Sequence, residues 1–497
     1  MFQKLQVCAV ALWVLTCLIF ADASRASLQQ AGSPTSSTIE ARIKRVENGL
    51  LPPTRIKGEA ATGMKLPDRM QFYKAPAVSI AVINEGRMEW ARAYGTLEAG
   101  GKVPATVTTV FQAASLSKPV TAMAALRLVQ ERKLDLDADV NGSLKSWKIP
   151  ENEFTKTQKV TLRHLLSHSA GLTIPGFLGY ASDAPLPTVI QMLDGTPPAN
   201  SKPVRVEIVP GTKFRYSGGG YVVLQQLLTD VGEKSFPDLL EQLVFRRLGM
   251  DHSSFLQSLP QDLANNIAPG HLPNGQVMPG GYYRYAELAP AGLWTTPTDL
   301  ARFVIEIQSS LHGKSKKVLS RETTRQMLTP QVENSGLGLF IDGTDRSRRF
   351  SHSGSNVGYK AYLVGYFDSG QGAVVMTNSE NGAQLMLEVL RSIAAEYGWP
   401  DYQPRERVIT KIDPSIYDAY VGEYELAPGL ILTVTKEGDK LFSQSPGQPR
   451  SEMLPESETT FFLRDIDAQF TFVREGGQIV RVVIRRGSRE FQARKIK

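Results

Sequence analysis

Alternating, strand-like segments occur at two distant places in this chain, and the stretch between them has mostly helical spacing. The first is "APAVSIAVINEGRMEWARAYGTL", where Val78, Ile80 and Val82 alternate, Asn84-Glu85-Gly86 turns and Trp90 lies on the return. The second comprises "RRFSHSG", "VGYKAYLVGYF" and "GAVVMTN", with Asp368-Ser369-Gly370 as a turn. A helix from about Ala383 to Tyr397 closes that region. This layout predicts one antiparallel sheet assembled from both ends of the sequence, with a helical lobe inserted. A cleft between the two is the natural place for a site. Within the lobe, "VTLRHLLSHSAGL" offers Thr161 as an N-cap and Gly171 as a stop. "TTPTDLARF" offers Thr296 as cap, Pro297 at the first position and Asp299 in a capping box.

At 497 residues the chain exceeds one ordinary core, and its composition changes at the proline-bearing stretch "YGWPDYQPRERVITKIDP". Beyond it, "LILTVT", "KLFSQ", "TFFLRD", "QFTFVRE" and "IVRVVIRR" predict a small separate β barrel or sandwich. The start, "MFQKLQVCAVALWVLTCLIFADAS", has one lysine, an apolar run and an A-x-A pattern at Ala21-Asp22-Ala23, as in a secretory signal peptide. Its apolar run is about 16 residues, short of the roughly 20 needed to span a membrane. Both cysteines, Cys8 and Cys17, fall in this segment, so the mature chain is expected to hold no disulfide and no cysteine metal site. The expected organisation is a signal peptide at 1–23, a flexible lead at 24–37, an α/β (α+β) domain at 38–400, a linker at 401–414 and a β-barrel-like domain at 415–497. Such a protein would be exported, periplasmic or extracellular, with no stable membrane span after cleavage. The formal charge of +7, from 56 basic and 49 acidic residues, has many of its extra positives in the tail "VRVVIRRGSREFQARKIK". That tail alternates like a strand and lacks an aromatic platform or helical basic stripe, which argues against nucleic acid as a partner.

Chemistry concentrates in "FQAASLSKPVTAMAAL". Proline is tolerated only where a helix has barely begun, so Pro119 puts the start at about Ser115. Ser115 and Lys118 then stack on one face at the positive end of the helix. A serine hydroxyl needs a base to become a nucleophile, and a lysine buried at a helix N-terminus can be that base. This is the only S-x-x-K in the chain; alone, it is equally compatible with a capping serine and a surface lysine. "PGTKFRYSGGGYVVLQQLL" places Tyr216 in a Gly-rich loop before a helix whose Tyr221, Leu224, Leu228 and Val231 form a buried stripe. "RRFSHSGSNVGY" places His352 and Gly354 in a strand. His164 and His168 have a spacing that can bind zinc, but no third ligand lies nearby in sequence, and packing is the reading adopted. Tyr282, Tyr283 and Tyr285 line the cleft or pack; the sequence does not choose.

S-x-x-K, a Tyr-Ser-x about a hundred residues on, and a later strand with His-Ser-Gly together resemble the serine β-lactamase and penicillin-binding protein superfamily. The branch is the one similar to class C β-lactamases, D-aminopeptidases and family VIII esterases. "VFQAASLSKPVTA", "VTLRHLLSHSAGL", "APAGLWTTPTDLARF" and "FSHSGSNVGY" extend the likeness over roughly residues 70 to 395. The resemblance implies a β-lactamase-like fold with a central antiparallel sheet and helical lobe, and an acyl-serine mechanism without metal or cofactor. Ser115 would attack a carbonyl, with Lys118 and Tyr216 sharing its proton. His352, where the superfamily usually has lysine, would add a donor or a cation beside the substrate. Gly354 would let substrate approach the strand, and the backbone N–H groups of Ser115 and Ser355 would form the oxyanion hole. The branch commonly has asparagine two residues after the tyrosine; here Gly218 stands there, and Asn356 is the candidate to fill the gap. These residues favour an esterase or relaxed peptidase over an efficient β-lactamase, acting on a small-molecule or peptide substrate. A catalytically weak protein that binds peptidoglycan-type ligands is the alternative, and the oligomeric state is not readable.

Overall fold

The computed structural model describes residues 36–60, 63–446, 450–486 and 489–497; the expected signal segment and residues 24–35 of the lead lie outside them. In chain order the first strands are β1 (Thr54–Ile56), β2 (Ala77–Asn84), β3 (Arg87–Gly95), β4 (Phe111–Gln112) and β5 (Trp294–Thr295). There follow β6 (Phe340–Asp342), β7 (Arg349–Asn356), β8 (Tyr359–Tyr366), β9 (Gly372–Thr377) and β10 (Arg405–Arg407). Six of these form one sheet in the order β3-β2-β9-β8-β7-β6, antiparallel throughout. The β2–β3 hairpin joins the later strands by pairing Val78 with Thr377 and Ala81 with Val374. Both β2 and β9 are buried almost end to end, as expected of central strands covered on both faces. Ala81, Leu363, Val374 and Met376 enter the large core together with Phe303, Val304 and Ile307 of helix Pro297–Leu311.

The helical lobe lies in sequence between β3 and β6. Two of its helices, Ser117–Gln130 and Gly218–Gly232, are buried over most of their length. Both are buried on several faces, and the second carries buried Gln225, Gln226 and Asp230 beside its apolar residues, so its buried side extends beyond the expected stripe. Caps are local chemistry and fall where the sequence puts them: Thr161 Oγ1 accepts from His164 N–H, and Thr296 Oγ1 from Asp299 N–H, with Pro297 first in its helix. The capping box expected of Asp299 does not close, because its carboxylate accepts from His252 N–H and Ser253 Oγ instead. The helix after Thr161 ends at Leu166, short of the expected stop at Gly171. His168 lies beyond it with φ +57, so His164 and His168 do not share a helix face. Ser115 likewise sits in a 3₁₀ turn, Ala114–Leu116, and the α-helix begins at Ser117.

Eight further strands close into a barrel: β11 (Gly422–Ala427), β12 (Leu430–Glu437), β13 (Lys440–Gln444), β14 (Ser451–Pro455), β15 (Thr460–Phe462), β16 (Gln469–Glu475), β17 (Gln478–Arg486) and β18 (Arg489–Lys495). The closing contact pairs Tyr424 with Lys495 and Glu425 with Arg494, leaving no open edge. Tyr420, Tyr424, Phe461 and Phe472 fill the interior with edge and stacked ring contacts. The basic tail, expected as a strand, is the β17–β18 hairpin. Parallel pairing of β1 with β10 ties the start of the chain to the approach to the barrel. Thr54 Oγ1 donates to Leu463 O at 3.3 Å across the same junction. Among the described residues no helix is long and apolar enough to cross a membrane.

Candidate active site

The backbone turns sharply at Ala114, whose φ of +51 is uncommon for a residue with a side chain. The turn is pinned from below: Ala113 N–H donates to Leu293 O at 2.9 Å, Leu293 N–H donates to Ser117 Oγ at 3.0 Å, and that hydroxyl donates to Ala114 O at 2.6 Å. Ser115 emerges half-buried from this turn. Lys118, 2% exposed, donates from Nζ to Ser115 Oγ at 2.9 Å and to Pro290 O at 2.9 Å. Its Nζ also stands 4.9 Å from the ring centre of Tyr216 and 5.7 Å from that of Tyr221, where ring faces stabilise positive charge.

Tyr216 is held by its flanks. Ser217 caps helix Gly218–Gly232 by accepting from Gly220 N–H at 2.9 Å, and its hydroxyl donates to Thr173 O at 2.7 Å. On either side of Tyr216, Arg215 N–H donates to His168 O at 2.8 Å and Ser217 N–H donates to His168 Nδ1 at 3.1 Å. The His168 ring lies 4.3 Å from that of Tyr216. Full burial, reinforced by Lys118 and His352, pushes the His168 imidazole well below its ordinary range, so it accepts as a neutral ring. No local pattern marks His168 for this role, because its bond to Ser217 reaches across 49 residues.

Strand β7 forms the opposite wall. His352 is buried, 6.4 Å ring to ring from Tyr216, and burial followed by the nearby Lys118 lowers it to about 3. Its Nδ1 lies 2.8 Å from Ser353 O, a carbonyl that can only accept, so Nδ1 carries the proton and Nε2 is left as an acceptor. The expected cation or donor at this position is therefore replaced by a neutral acceptor. Gly354 has a packing role beside the expected one: a Cβ there would lie 2.2 Å from Ala113 O. What comes close is the turn that carries Ser115. Ser355 follows with an exposed side chain. Asn356 does not stand in for the missing asparagine, because its Nδ2 donates to Gln112 Oε1 at 2.8 Å and to Ala291 O at 3.2 Å. Gln112 in turn donates to Tyr283 O.

Ser115, Lys118, Tyr216, His352 and Gly354 thus converge from a turn, a loop and a strand, and Ser355 adjoins them. Two further features escape sequence reading. Glu287, fully buried, accepts from Tyr180 Oη at 3.2 Å on one oxygen while Oε2 has no partner, and burial raises its carboxyl to about 7. The second is the neighbourhood of Gly218, where a Cβ would lie 2.7 Å from Cε2 of Phe177. Of the tyrosines left open, Tyr285 is buried, whereas Tyr282 and Tyr283 are half-buried. His164 spends Nδ1 accepting from Thr161 N–H, as part of a cap.

Two family models match: one described as Beta-lactamase over residues 65–397, and one described as a domain of unknown function (DUF3471) over 406–497. Penicillin-binding protein 4* of Bacillus subtilis (strain 168) is 26% identical over 415 residues, 78% of this chain and 88% of that protein. Among solved structures, the octameric penicillin-binding protein homologue from Pyrococcus abyssi superposes with a TM-score of 0.61 at 22% identity, covering 86% of this chain and 98% of its own. EstCE1, described as a hydrolase with promiscuous acyltransferase activity, gives a TM-score of 0.56 at 19% identity, covering 72% of this chain and 100% of its own. Because the first model spans the sheet and the whole inserted lobe, well over half of the sequence, the chain belongs to the β-lactamase family of serine hydrolases.

Proposed function

We propose that this protein hydrolyses a carboxylic ester or a reactive amide through an acyl enzyme on Ser115. The observation that carries this reading is the 2.9 Å contact from the buried Lys118 Nζ to Ser115 Oγ, with Tyr216 beside it. As Ser115 Oγ bonds the substrate carbonyl carbon, its proton passes to the Lys118–Tyr216 pair, and that pair returns a proton to the leaving alcohol or amine. Water then attacks the acyl carbon and gives up a proton to the same pair, which passes that proton to Ser115 Oγ as the acid is released. The backbone N–H groups of Ser115 and Ser355 would receive the negative charge that develops on the carbonyl oxygen. His352, neutral and accepting at Nε2, would bind a donor on the substrate or an ordered water.

Gly218 favours esters over lactams and peptides, since it has no side chain to hold an amide. Residues 1–23 would direct export, and 38–400, 401–414 and 415–497 would be the catalytic domain, linker and barrel domain. The test is intact-mass spectrometry after incubation with a fluorophosphonate, beside Ser115→Ala. A single adduct on the wild type that the variant lacks is the expected outcome; folded wild type without an adduct would overturn the assignment.

A further inference from the structure

We propose that Phe177 and Leu178 form an apolar wall against which the acyl part of the substrate lies, so that the preferred esters carry aliphatic or aryl acyl groups. This rests on Ser115 as nucleophile and adds the substrate class. Ser217 is extended, with φ −137 and ψ 114, so Tyr216 and Gly218 project to the same side of the chain. On that side the three heavy atoms nearest a Cβ at Gly218 would be Cε2 and Cδ2 of Phe177, at 2.7 and 3.4 Å, and Pro175 O, at 3.4 Å. A ring and a carbonyl oxygen provide no donor for the carbonyl of an acylamino group. The side-chain amides of Gln112 and Asn356 are committed elsewhere: Gln112 donates to Tyr283 O, and Asn356 donates to Gln112 Oε1 and Ala291 O. What the surface provides instead is contact area: Phe177 is half-buried, and Leu178 beside it is 70% exposed.

The wall is fixed at both ends. On the side of Tyr216, Gly219 N–H donates to Ile174 O at 3.0 Å and Ser217 Oγ to Thr173 O at 2.7 Å. On the far side, Tyr180 and Arg284 exchange backbone bonds of 2.8 and 2.7 Å, and Asn200 Nδ2 donates to Gly179 O at 2.8 Å. A lone exposed leucine is ordinary on a protein surface; what singles out Leu178 is that the span carrying it is clamped at both ends and that its neighbour Phe177 borders the side of Gly218 on which Tyr216 projects.

The experiment measures kcat/KM for 4-nitrophenyl acetate, butyrate and hexanoate with wild type, Phe177→Ala and Leu178→Ser, the last an exposed substitution that leaves the core untouched. Full burial of a methylene is worth roughly fourfold, so partial burial along the wall gives the wild type about a tenfold preference for hexanoate over acetate. Phe177→Ala should cut the hexanoate-to-acetate ratio at least fivefold, mainly through KM, and Leu178→Ser about twofold. A wild type that turns over acetate and forms the Ser115 adduct but shows no chain-length preference would overturn the wall while leaving the nucleophile in place. So would variants that lose acetate and hexanoate in equal proportion. Absence of both turnover and adduct would sink the nucleophile and the wall together.

Discussion

At the scale of single residues, the informative positions are those where one atom decides. A Cβ at Gly354 meets a backbone carbonyl at 2.2 Å, and backbone cannot swing aside. Gly354→Ala should therefore cost about 2–4 kcal/mol and displace the Ser115 turn, removing most esterase activity, measured by thermal melts and steady-state rates together. Gly218→Ala meets only the edge of the Phe177 ring, which can rotate, so its melting temperature should stay close to wild type. His168→Ala removes the acceptor that orients Ser217 N–H beside Tyr216. Its kcat should fall on the order of a hundredfold, with slower labelling by the fluorophosphonate and a smaller change in KM. The sequence made Ser115, Lys118, Tyr216, His352 and Gly354 legible because each belongs to a short motif. It left the packing of Gly354 against the Ser115 turn, the neutrality of His352 and the part played by His168 illegible, because all three depend on which distant groups surround them.

Among the elements, the start of helix Gly218–Gly232 links most parts of the site. Ser217 both caps that helix and ties down the loop at Thr173. Ser217→Ala should cost about 1–2 kcal/mol, the usual worth of a cap with one further bond, and should speed amide hydrogen exchange across residues 173–180 relative to the rest of the lobe. Helix starts at Thr161 and Thr296 were readable because a cap is chemistry among neighbours three residues apart. Helix ends were not: the stop at Leu166 is followed by the left-handed His168, whose conformation is held by the loop around Tyr216. Barrel strands β12, β13, β15, β16 and β17 showed clear alternation and the tail that holds β18 read as a strand, whereas β11 and β14 acquire their identity from partners across the barrel.

For the molecule as a whole, two sets of buried groups set opposite limits on pH. His168, His271 and His352 are all held below the ordinary imidazole value, chiefly by burial. Below pH 6.5 the unfolded chain takes up protons that the folded one does not, so stability present above that pH is lost as pH falls. With His352 lowered to about 3, its share at pH 5 is a loss of about 2 kcal/mol. Glu287 acts in the other direction: raised to about 7, it contributes stability that is complete below pH 4.5 and lost as pH rises through 7. Glu287→Gln should therefore raise the melting temperature at pH 8, by up to about 3 kcal/mol of stability, and give no such gain at pH 4. Urea titrations across pH 4–9 on wild type and variant would check both limits.

The division into a two-ended sheet, a helical lobe and a β domain was visible from the spacing of apolar residues alone. Its cost falls on the newly made chain. Roughly 290 residues separate β2 from its partner β9, which at ordinary rates of protein synthesis is roughly 15–60 s of elongation. Throughout that interval any β2–β3 hairpin that forms leaves the long edge of β2 unpaired, presenting free N–H and C=O groups to whatever strand arrives first. Crowding many ribosomes on one message would bring identical open edges together, so the yield of folded enzyme should fall with expression rate and recover when elongating chains are kept apart or shielded by a chaperone.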